Sequence, residues 1–264
     1  MGKNMDEGHF EYGWPLTLAY HSVSHSRTDS LAVRTPNFEH QMAWLHRRGY
    51  RSMTVSQFMN EAPQDVRRVV IITFDDGYAD NYTLAYPALK QYGFTATIFL
   101  VSDYVGTDHI HTWDVPKMQS DKDLAPYRLL TWEQVHEMAS YGIEFGSHTK
   151  THHNLTTLPE EQRWEEIHQS RKDIQTNLGS EVVSFCYPRG DLDDDVIGMV
   201  EKAGYKCGVV TPPRAGIPLC RYTLRRIGVY HDNSNLLFWL KTKTPVRKNY
   251  ERLKKWKPSR IKAR

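Results

Sequence analysis

Short apolar runs alternate along the chain with longer segments in which apolar residues recur at helical spacing. The apolar runs predict strands over residues 16–20, 69–74, 94–101, 143–145, 182–186, 205–210 and 223–229. Periodicity, capping patterns and glycine stop signals predict helices over residues 36–48, 54–60, 80–92, 131–142, 159–178 and 193–203. Repeated alternation of strand and helix predicts an α/β fold with a parallel sheet, either open or closed into a barrel.

The run at residues 69–74 (Val-Val-Ile-Ile-Thr-Phe) is apolar enough to be a strand buried on both faces. Asp75, Asp76 and Gly77 follow it directly. Functional sites of α/β folds gather at the carboxyl ends of strands, so two carboxylates at this point indicate a site. Taken alone, Asp-Asp-Gly is more typical of a simple turn than of a site.

A second polar segment follows the apolar stretch at residues 143–145 and contains His148 and His152. A single histidine among the 13 of this chain is an ordinary polar residue. Two histidines four residues apart beyond a strand end, however, can converge on one metal ion with a carboxylate as third ligand. Two histidines and one aspartate leave positions open for water and substrate, as catalytic metal sites require.

These two segments resemble the first two signature motifs of the polysaccharide deacetylases, the carbohydrate esterase family related to chitooligosaccharide deacetylase. The motifs are Thr-Phe-Asp-Asp-Gly-Tyr at residues 73–78 and Ser-His-Thr-Lys-Thr-His at residues 147–152. The resemblance extends from Leu16 to Val229 and includes residues 95–100, 130–132 and 187–190. It implies a single-domain, distorted (β/α) barrel of TIM-like form and one divalent metal ion.

The resemblance also implies separate roles for the two aspartates. Asp76 would join His148 and His152 on the metal, and Asp75 would be the catalytic base. Side chains of adjacent strand residues point in opposite directions, which agrees with that division. Zinc is the expected ion, and nickel and cobalt also bind such ligands.

A third family motif corresponds to Tyr-Pro-Arg-Gly at residues 187–190. Backbone N–H groups of this turn, at Tyr187 and Arg189, are candidate oxyanion donors and substrate-positioning groups; alternatively, Pro and Gly merely shape a loop. This chain departs from the family here. Cys186 stands where the family has an arginine that orients the catalytic carboxylate, and Arg189 stands where it has an aromatic residue.

The general acid is a separate question, because the family's C-terminal Leu-x-x-His motif is not evident. Tyr20-His21-Ser22 resembles instead the start of the poly-N-acetylglucosamine deacetylase branch, in which the acid histidine lies near the N-terminus. His21 is therefore the candidate acid, and His231 is the alternative. A third possibility is that His21 has no catalytic role.

Charge is distributed unevenly along the chain. Residues 241–264 hold eleven Lys or Arg and one Glu, a net charge of +10, which leaves 23 basic and 30 acidic side chains in the remainder. This tail follows an apolar cluster at residues 236–240. The combination indicates a peripheral contact with an anionic membrane; a buried helix with a solvated tail is the alternative. Nucleic acid is not expected as a partner, because no base-reading motif accompanies the charge.

The remaining features place these sites in the chain. We expect an N-terminal extension at residues 1–15, a catalytic domain at 16–235 and the tail at 236–264. The irregular pattern of residues 102–130 predicts a long loop, which either faces the substrate or is an ordinary surface loop without a functional role. Three cysteines without metal-type spacing, and no secretory signal, indicate reduced thiols in a cytoplasmic protein, peripheral to the inner face of the membrane.

The predicted function is metal-dependent hydrolysis of the N-acetyl amide of an N-acetylated polysaccharide, oligosaccharide or lipid-linked sugar, with release of acetate. Such chemistry is typical of enzymes that act on cell-envelope polysaccharides. A non-catalytic carbohydrate-binding or scaffold domain on the same fold is the alternative, because Cys186 and Arg189 depart from the family pattern.

Overall fold

The computed structural model describes residues 14–117, 124–211, 219–231 and 234–243. Its strands are β1 (Leu16–Tyr20), β2 (Ser22–Ser24), β3 (Ala32–Arg34), β4 (Arg51–Met53), β5 (Val69–Phe74), β6 (Thr97–Leu100), β7 (Glu144–Ser147), β8 (Ser184–Cys186), β9 (Cys207–Val210), β10 (Leu224–Arg225) and β11 (Ile227–Gly228). Eight of them form a path in the order β10-β9-β8-β7-β6-β5-β1-β11, with β4 paired beside β5. β2 and β3 form a small separate sheet that the sequence did not predict.

The last two strands close the large sheet. Leu224 of β10 pairs with β9, and Ile227 of β11 pairs with β1 at the opposite end of the strand order. A single residue, Arg226, separates β10 from β11. One short segment therefore joins the two ends of the sheet into a nearly closed parallel barrel, which confirms the predicted (β/α) barrel. The strand predicted over residues 223–229 is divided at this point.

β5 shows how the barrel is filled. Successive strand side chains point to opposite faces, and Val70, Ile72 and Phe74 belong to the apolar layer between the sheet and the helices. Val69 and Ile71 belong to a second cluster, with residues of β6, β8, β9 and β10, inside the barrel. Residue 75 continues this inward series, so a carboxylate there points into the end of the barrel.

The helices are α1 (Thr35–Arg47), α2 (Val55–Glu61), α3 (Tyr86–Gln91), α4 (Trp132–Tyr141), α5 (Glu160–Leu178), α6 (Asp194–Lys202) and α7 (Asn235–Lys241). The first six follow the predicted helices closely, except that a π-helical turn over Asn81–Ala85 precedes α3. α7 covers the apolar cluster for which a helix was the alternative interpretation. The capping box predicted for α4 is present, because the Gln134 N–H donates to Thr131 Oγ1 while Gln134 Oε1 accepts from the Thr131 N–H.

The segment after β6 is irregular, as predicted, with short 3-10 turns and a bridge between Tyr78 and Leu129. At the other end of the described chain, α7 lies against α1 through an edge contact between Phe238 and Trp44, with ring centroids 6.0 Å apart. None of the helices in the described ranges has the length and apolar character needed to cross a membrane. Residues 1–13 and the basic residues 244–264 lie outside these ranges, so the predictions for both termini, and the domain boundaries, stay predictions.

Candidate metal centre and active site

Three side chains converge at the carboxyl ends of β5 and β7. Asp76 follows β5, and His148 follows β7 directly. Asp76 Oδ1 lies 3.5 Å from His148 Nε2 and 3.5 Å from His152 Nε2. One ligand atom from each of the three residues lies within 4.8 Å of the other two. The structure thus brings together the three residues that the sequence predicts as metal ligands.

The chemistry of this donor set fits a divalent cation. Asp76 Oδ1 is buried and has no hydrogen-bond partner among the described residues, and burial, with the nearby Asp75 charge, raises the pKa of Asp76 well above its ordinary value. Burial also lowers the pKa of both histidines, which favours the neutral, metal-binding imidazole. A cation would supply the missing partner of the Asp76 carboxylate.

His148 is oriented for this role by the backbone of β8. Its Nδ1 lies 2.8 Å from the carbonyl oxygen of Cys186. When Nδ1 carries the proton and donates to that carbonyl, Nε2 presents its lone pair to the cluster. Such contacts fix the tautomer and ring orientation of metal-binding histidines.

Asp75 has entirely different partners from Asp76. Arg226 donates from Nη1 to Asp75 Oδ1 at 2.7 Å and from Nη2 to Oδ2 at 2.8 Å, and also from Nη1 to Thr73 Oγ1 at 2.8 Å. Burial opposes ionisation of Asp75, but the charge and hydrogen bonds of Arg226 outweigh it and hold the pKa of Asp75 well below its ordinary value. Asp75 is therefore an ionised carboxylate fixed in orientation.

Sequence reasoning missed Arg226. Its guanidinium lies against Cys186, with Nη2 3.0 Å from the sulfur. An arginine from the barrel seam thus reaches the place where the family motif has an arginine at position 186. The available signal was a pair of arginines, Arg225 and Arg226, inside the strand predicted over residues 223–229, since a charged side chain is rarely fully buried without a partner.

A second set of potential ligands shares His148 with the first and adds Asp75 and Cys186. Both oxygens of Asp75 are occupied by Arg226. Burial raises the pKa of the Cys186 thiol well above its ordinary value, so this sulfur stays protonated. We therefore assign the candidate metal site to the Asp76 set.

The third motif, at residues 187–190, offers fewer candidate oxyanion donors than its sequence suggests. The Tyr187 N–H donates to the carbonyl oxygen of Val209 at 3.3 Å, and the Gly190 N–H donates to the Tyr187 carbonyl at 3.0 Å. The Tyr187 ring is buried against Phe185, with centroids 5.1 Å apart. Among the described residues the Arg189 N–H has no acceptor, so Arg189 is the remaining oxyanion candidate of this turn.

His21 lies at the site, next to Asp75. Its Nε2 is 4.0 Å from Asp75 Oδ2, and its Nδ1 is buried without a hydrogen-bond partner in the described structure. Burial lowers the pKa of His21 to about 4 in spite of the Asp75 charge, so the ring is neutral at pH 7 before turnover. His231 instead contacts β3, with Nδ1 3.0 Å from the Ala32 carbonyl oxygen. The arrangement favours His21 over His231.

The irregular segment after β6 forms a wall beside the metal ligands. His111 Nε2 lies 3.3 Å from the backbone oxygen of Asp76. The His111 ring stacks on Trp113 with centroids 4.3 Å apart, and Trp113 lies 4.5 Å from the His152 ring. Below this stack, buried Asp114 accepts hydrogen bonds from Arg27 and Tyr78, which anchors the segment to the barrel.

Backbone strain is concentrated at the same place. Of five described non-glycine residues with positive φ, four lie in the three motif segments: Asp76 (72°), Thr149 (69°), His152 (63°) and Arg189 (58°). Such conformations cost on the order of 1–3 kcal/mol each and persist only where surrounding contacts enforce them. Their clustering marks this end of the barrel as a functional site.

Comparison with known proteins agrees with this geometry. The polysaccharide deacetylase family model matches residues 62–208. The Bacillus subtilis (strain 168) protein YxkH, assigned to these deacetylases by name only, is 37% identical over 225 residues, covering 84% of this chain and 73% of its own. The poly-beta-1,6-N-acetyl-D-glucosamine N-deacetylase of Staphylococcus aureus (strain MRSA252) is 27% identical over 224 residues, covering 81% and 73%.

Solved structures show the same fold. BC0361, a polysaccharide deacetylase from Bacillus cereus, superposes with a TM-score of 0.68 at 25% identity, covering 86% of this chain and 68% of its own. The deacetylase PplD of Streptococcus pyogenes, in complex with acetate, superposes with a TM-score of 0.70 at 23% identity, covering 87% and 98%. With the family model matching more than half of the sequence and both sequence motifs assembled at one end of the barrel, this chain belongs to the polysaccharide deacetylase family.

Proposed function

We propose that this protein is a metal-dependent carbohydrate N-deacetylase, which hydrolyses the N-acetyl amide of an N-acetylated sugar to a free amine and acetate. One observation carries the proposal, which is that two adjacent carboxylates have opposite environments. Arg226 holds both oxygens of Asp75, whereas Asp76 directs an unpartnered oxygen toward His148 and His152. A base and a metal site are thereby separated within one dipeptide.

Asp76, His148 and His152 would hold the divalent ion, with zinc as the expected metal. When bound, such an ion lowers the pKa of a coordinated water and polarises the substrate carbonyl. Asp75 accepts a proton from the attacking water. Because Arg226 makes Asp75 a weak base, this transfer depends on a water that is already acidified.

The leaving nitrogen must gain a proton before the C–N bond breaks. His21 is the proposed donor, since its Nε2 faces Asp75 at 4.0 Å. Because the pKa of His21 is low, its ring is neutral in the resting state. His21 must therefore gain a proton during turnover. Asp75, which accepts a proton from water, is the nearest source of that proton. The Arg189 N–H is the proposed donor to the oxyanion.

The proposed substrate is a polymer or oligomer of N-acetylglucosamine, and a lipid-linked N-acetylated sugar is the second candidate. The name of the Staphylococcus aureus relative supports the polymer. The aromatic wall beside the metal ligands, with Trp113 half-buried at the His152 ring, is the kind of surface against which the apolar face of a sugar packs.

The test is acetate release from a panel of N-acetylglucosamine oligomers of different linkage and from lipid-linked sugars. We expect about one divalent ion per chain and activity that a chelator removes and zinc restores. His148→Ala and His152→Ala should each lose most of the metal and the activity. Full metal content in both variants would refute the ligand assignment, and tight sugar binding without acetate release would indicate the non-catalytic alternative.

A peripheral membrane contact is a further part of this proposal. α7 exposes Leu236 (66%), Leu237 (36%) and Leu240 (38%), while Phe238 on its other side is buried. The basic residues 244–264 continue from this helix outside the described ranges. Leu236, Leu237 and Leu240 thus form an exposed apolar surface that directly precedes the basic segment in the sequence. We infer that they enter an anionic lipid surface, on the cytoplasmic side by the sequence prediction.

Co-sedimentation with anionic and neutral liposomes tests this contact. Each basic residue near an anionic surface is worth about 1 kcal/mol, so binding should be salt-sensitive, and Leu236→Ser with Leu240→Ser should weaken it. Equal recovery with both lipid types, or no loss after removal of residues 244–264, would refute the contact and leave the deacetylase proposal unaffected.

A further inference from the structure

The loop that carries the two histidine ligands has an unusual backbone. Thr149 and His152 both have positive φ, at 69° and 63°. Side chains other than glycine rarely adopt this conformation, so the loop needs contacts that enforce it. Metal binding depends on that conformation, because it sets where His152 lies relative to His148 at the end of β7.

The partners of the loop's backbone N–H groups can be traced one by one. The Thr149 N–H donates to Ser147 Oγ, and the His152 N–H donates to Thr149 Oγ1. These two contacts are local, since they involve only the loop and the last residue of β7. The two central N–H groups, of Lys150 and Thr151, instead donate to one oxygen of Glu166, at 3.0 and 2.8 Å.

Glu166 is well placed to be a fixed acceptor. It lies on α5 and is buried, and its second oxygen accepts a hydrogen bond from the Thr151 hydroxyl. Ser170, one turn further along the same helix face, bonds through Oγ to Ser147 Oγ at 2.8 Å. The helix is thus bound both to the strand end that precedes the ligands and to the middle of their loop.

The chemistry of the contact favours an anion. Successive backbone N–H groups in a turn with alternating helical handedness form a concave, partly positive nest that binds anions. Hydrogen bonds from backbone N–H groups to a carboxylate are about twice as strong as those to a neutral acceptor. Glu166 therefore supplies from outside the loop the charge that its own residues do not provide.

We propose that Glu166 is a positioning residue of the metal centre, which holds the residue 149–152 loop in the conformation that lets His152 join Asp76 and His148 on one ion. This inference deepens the proposed function, since it concerns the same metal site. Glu166 belongs to neither group of potential metal ligands. It acts by keeping the ligand-bearing backbone in a conformation that this backbone does not adopt readily.

The expected effect is on metal affinity. Residues that orient metal ligands typically change affinity by roughly 10–100-fold when removed, so Glu166→Ala should weaken zinc binding within that range. Glu166→Gln keeps the shape and one oxygen acceptor but loses the charge, so its affinity should lie between those of the alanine variant and wild type. Alanine is a strong helix former, so α5 itself should persist.

Glu165→Ala is the matched control. Glu165 is the preceding residue on α5, with a side chain 54% exposed, and it pairs with the Lys150 ammonium group at 3.0 Å. Losing this pair removes an acidic residue and a contact to the same loop without touching a backbone N–H. The control variant should therefore bind zinc as wild type does.

The test of Glu166 is the zinc dissociation constant of each variant. It is measured without substrate, by competition with a chelator of known affinity. Hydrogen exchange of the metal-free variants gives a second reading, because the Lys150 and Thr151 amides should exchange faster in Glu166→Ala and at wild-type rates in Glu165→Ala. Unchanged zinc affinity in Glu166→Ala, or an equal loss in the control, would overturn the proposal, even if melting of the metal-free protein falls. Wild-type protein that binds no zinc, nickel or cobalt would overturn the proposed function as well, whereas wild-type binding without acetate release would leave the role of Glu166 intact.

Discussion

Replacing Arg226 by alanine should abolish most deacetylation while leaving all three metal ligands in place. Arg226 makes two hydrogen bonds to the Asp75 carboxylate, at 2.7 and 2.8 Å, in a buried part of the barrel. Without the guanidinium, the base loses its fixed orientation beside the metal site. A displacement of about 1 Å at a reacting group can cost 10²-fold in rate, so we expect a loss of roughly that size or more.

The same change should lower stability. Removing one partner of a buried ion pair leaves the other charge uncompensated, which typically costs about 3–5 kcal/mol. The loss of the contacts to Thr73 and Cys186 and the cavity left behind add to this cost. For a chain of this size each kcal/mol shifts the melting temperature by about 2–4 °C, so thermal unfolding should begin at clearly lower temperature.

A more specific test places an arginine at position 186, where the family motif has one. Because the Cys186 sulfur lies 3.0 Å from the guanidinium, Cys186→Arg in the Arg226→Ala background should place a guanidinium beside the same carboxylate and recover part of the acetate release. Arg225→Ala, one residue away, is the control and should keep wild-type turnover. Zinc content measured on every variant separates loss of the base from loss of the metal.

Two results would refute this reasoning. Turnover by folded, zinc-loaded Arg226→Ala within about tenfold of wild type would show that the bidentate contact is structural only. Equal losses in Arg225→Ala would show that the barrel seam, and not the guanidinium, matters. Should the alanine variant not fold, Arg226→Lys, which keeps the charge but not the paired geometry, gives the same comparison.

Three further predictions concern Asp75, His21 and Asp80. Asp75→Asn should keep the zinc and the fold but lose at least about 10²-fold in turnover, since an amide cannot accept the proton of water; near-wild-type acetate release would exclude Asp75 as the base. His21→Ala should reduce turnover at unchanged zinc content, and a loss seen only in His231→Ala would place the acid near the C-terminus instead. Burial raises the pKa of Asp80 from 3.8 to about 7, so the folded protein loses stability relative to the unfolded chain as pH rises between these values. The melting temperature of Asp80→Asn minus that of wild type should therefore be larger at pH 8 than at pH 3.5. An equal difference at both pH values would contradict the raised pKa of Asp80.

The sequence predicted that the three proposed metal ligands cluster, because their signal is local. Asp76 sits at the end of an apolar strand, and His148 and His152 lie four residues apart beyond another, so strand direction alone brings them to one edge of the sheet. The division of labour between Asp75 and Asp76 was implied by the family resemblance, and alternation of side chains along β5 agrees with it. The clustering needs only that β5 and β7 run parallel in one sheet.

The barrel's closure could not be predicted in the same way. Periodicity does not distinguish an open sheet from a closed one, and the decisive strands, β10 and β11, are two residues long each. Their pairing with β9 on one side and β1 on the other depends on the whole barrel being assembled. The family resemblance, rather than the residue pattern, carried that prediction.

Arg226 is a site residue whose role could not be predicted from the sequence, because its contact with Asp75 depends on closure of the barrel. It is 151 residues from Asp75 in sequence, and it meets that carboxylate only because the seam of the barrel turns its side chain inward. The missing arginine at position 186 pointed toward a decayed, non-catalytic domain when the motif was considered alone. In three dimensions the side chain of residue 186 and that of residue 226 reach the same place, so either can supply the guanidinium. In this chain the guanidinium beside Asp75 is thus supplied from the barrel seam, and its place inside the barrel, next to residue 186, accounts for the loss of the arginine at that motif position.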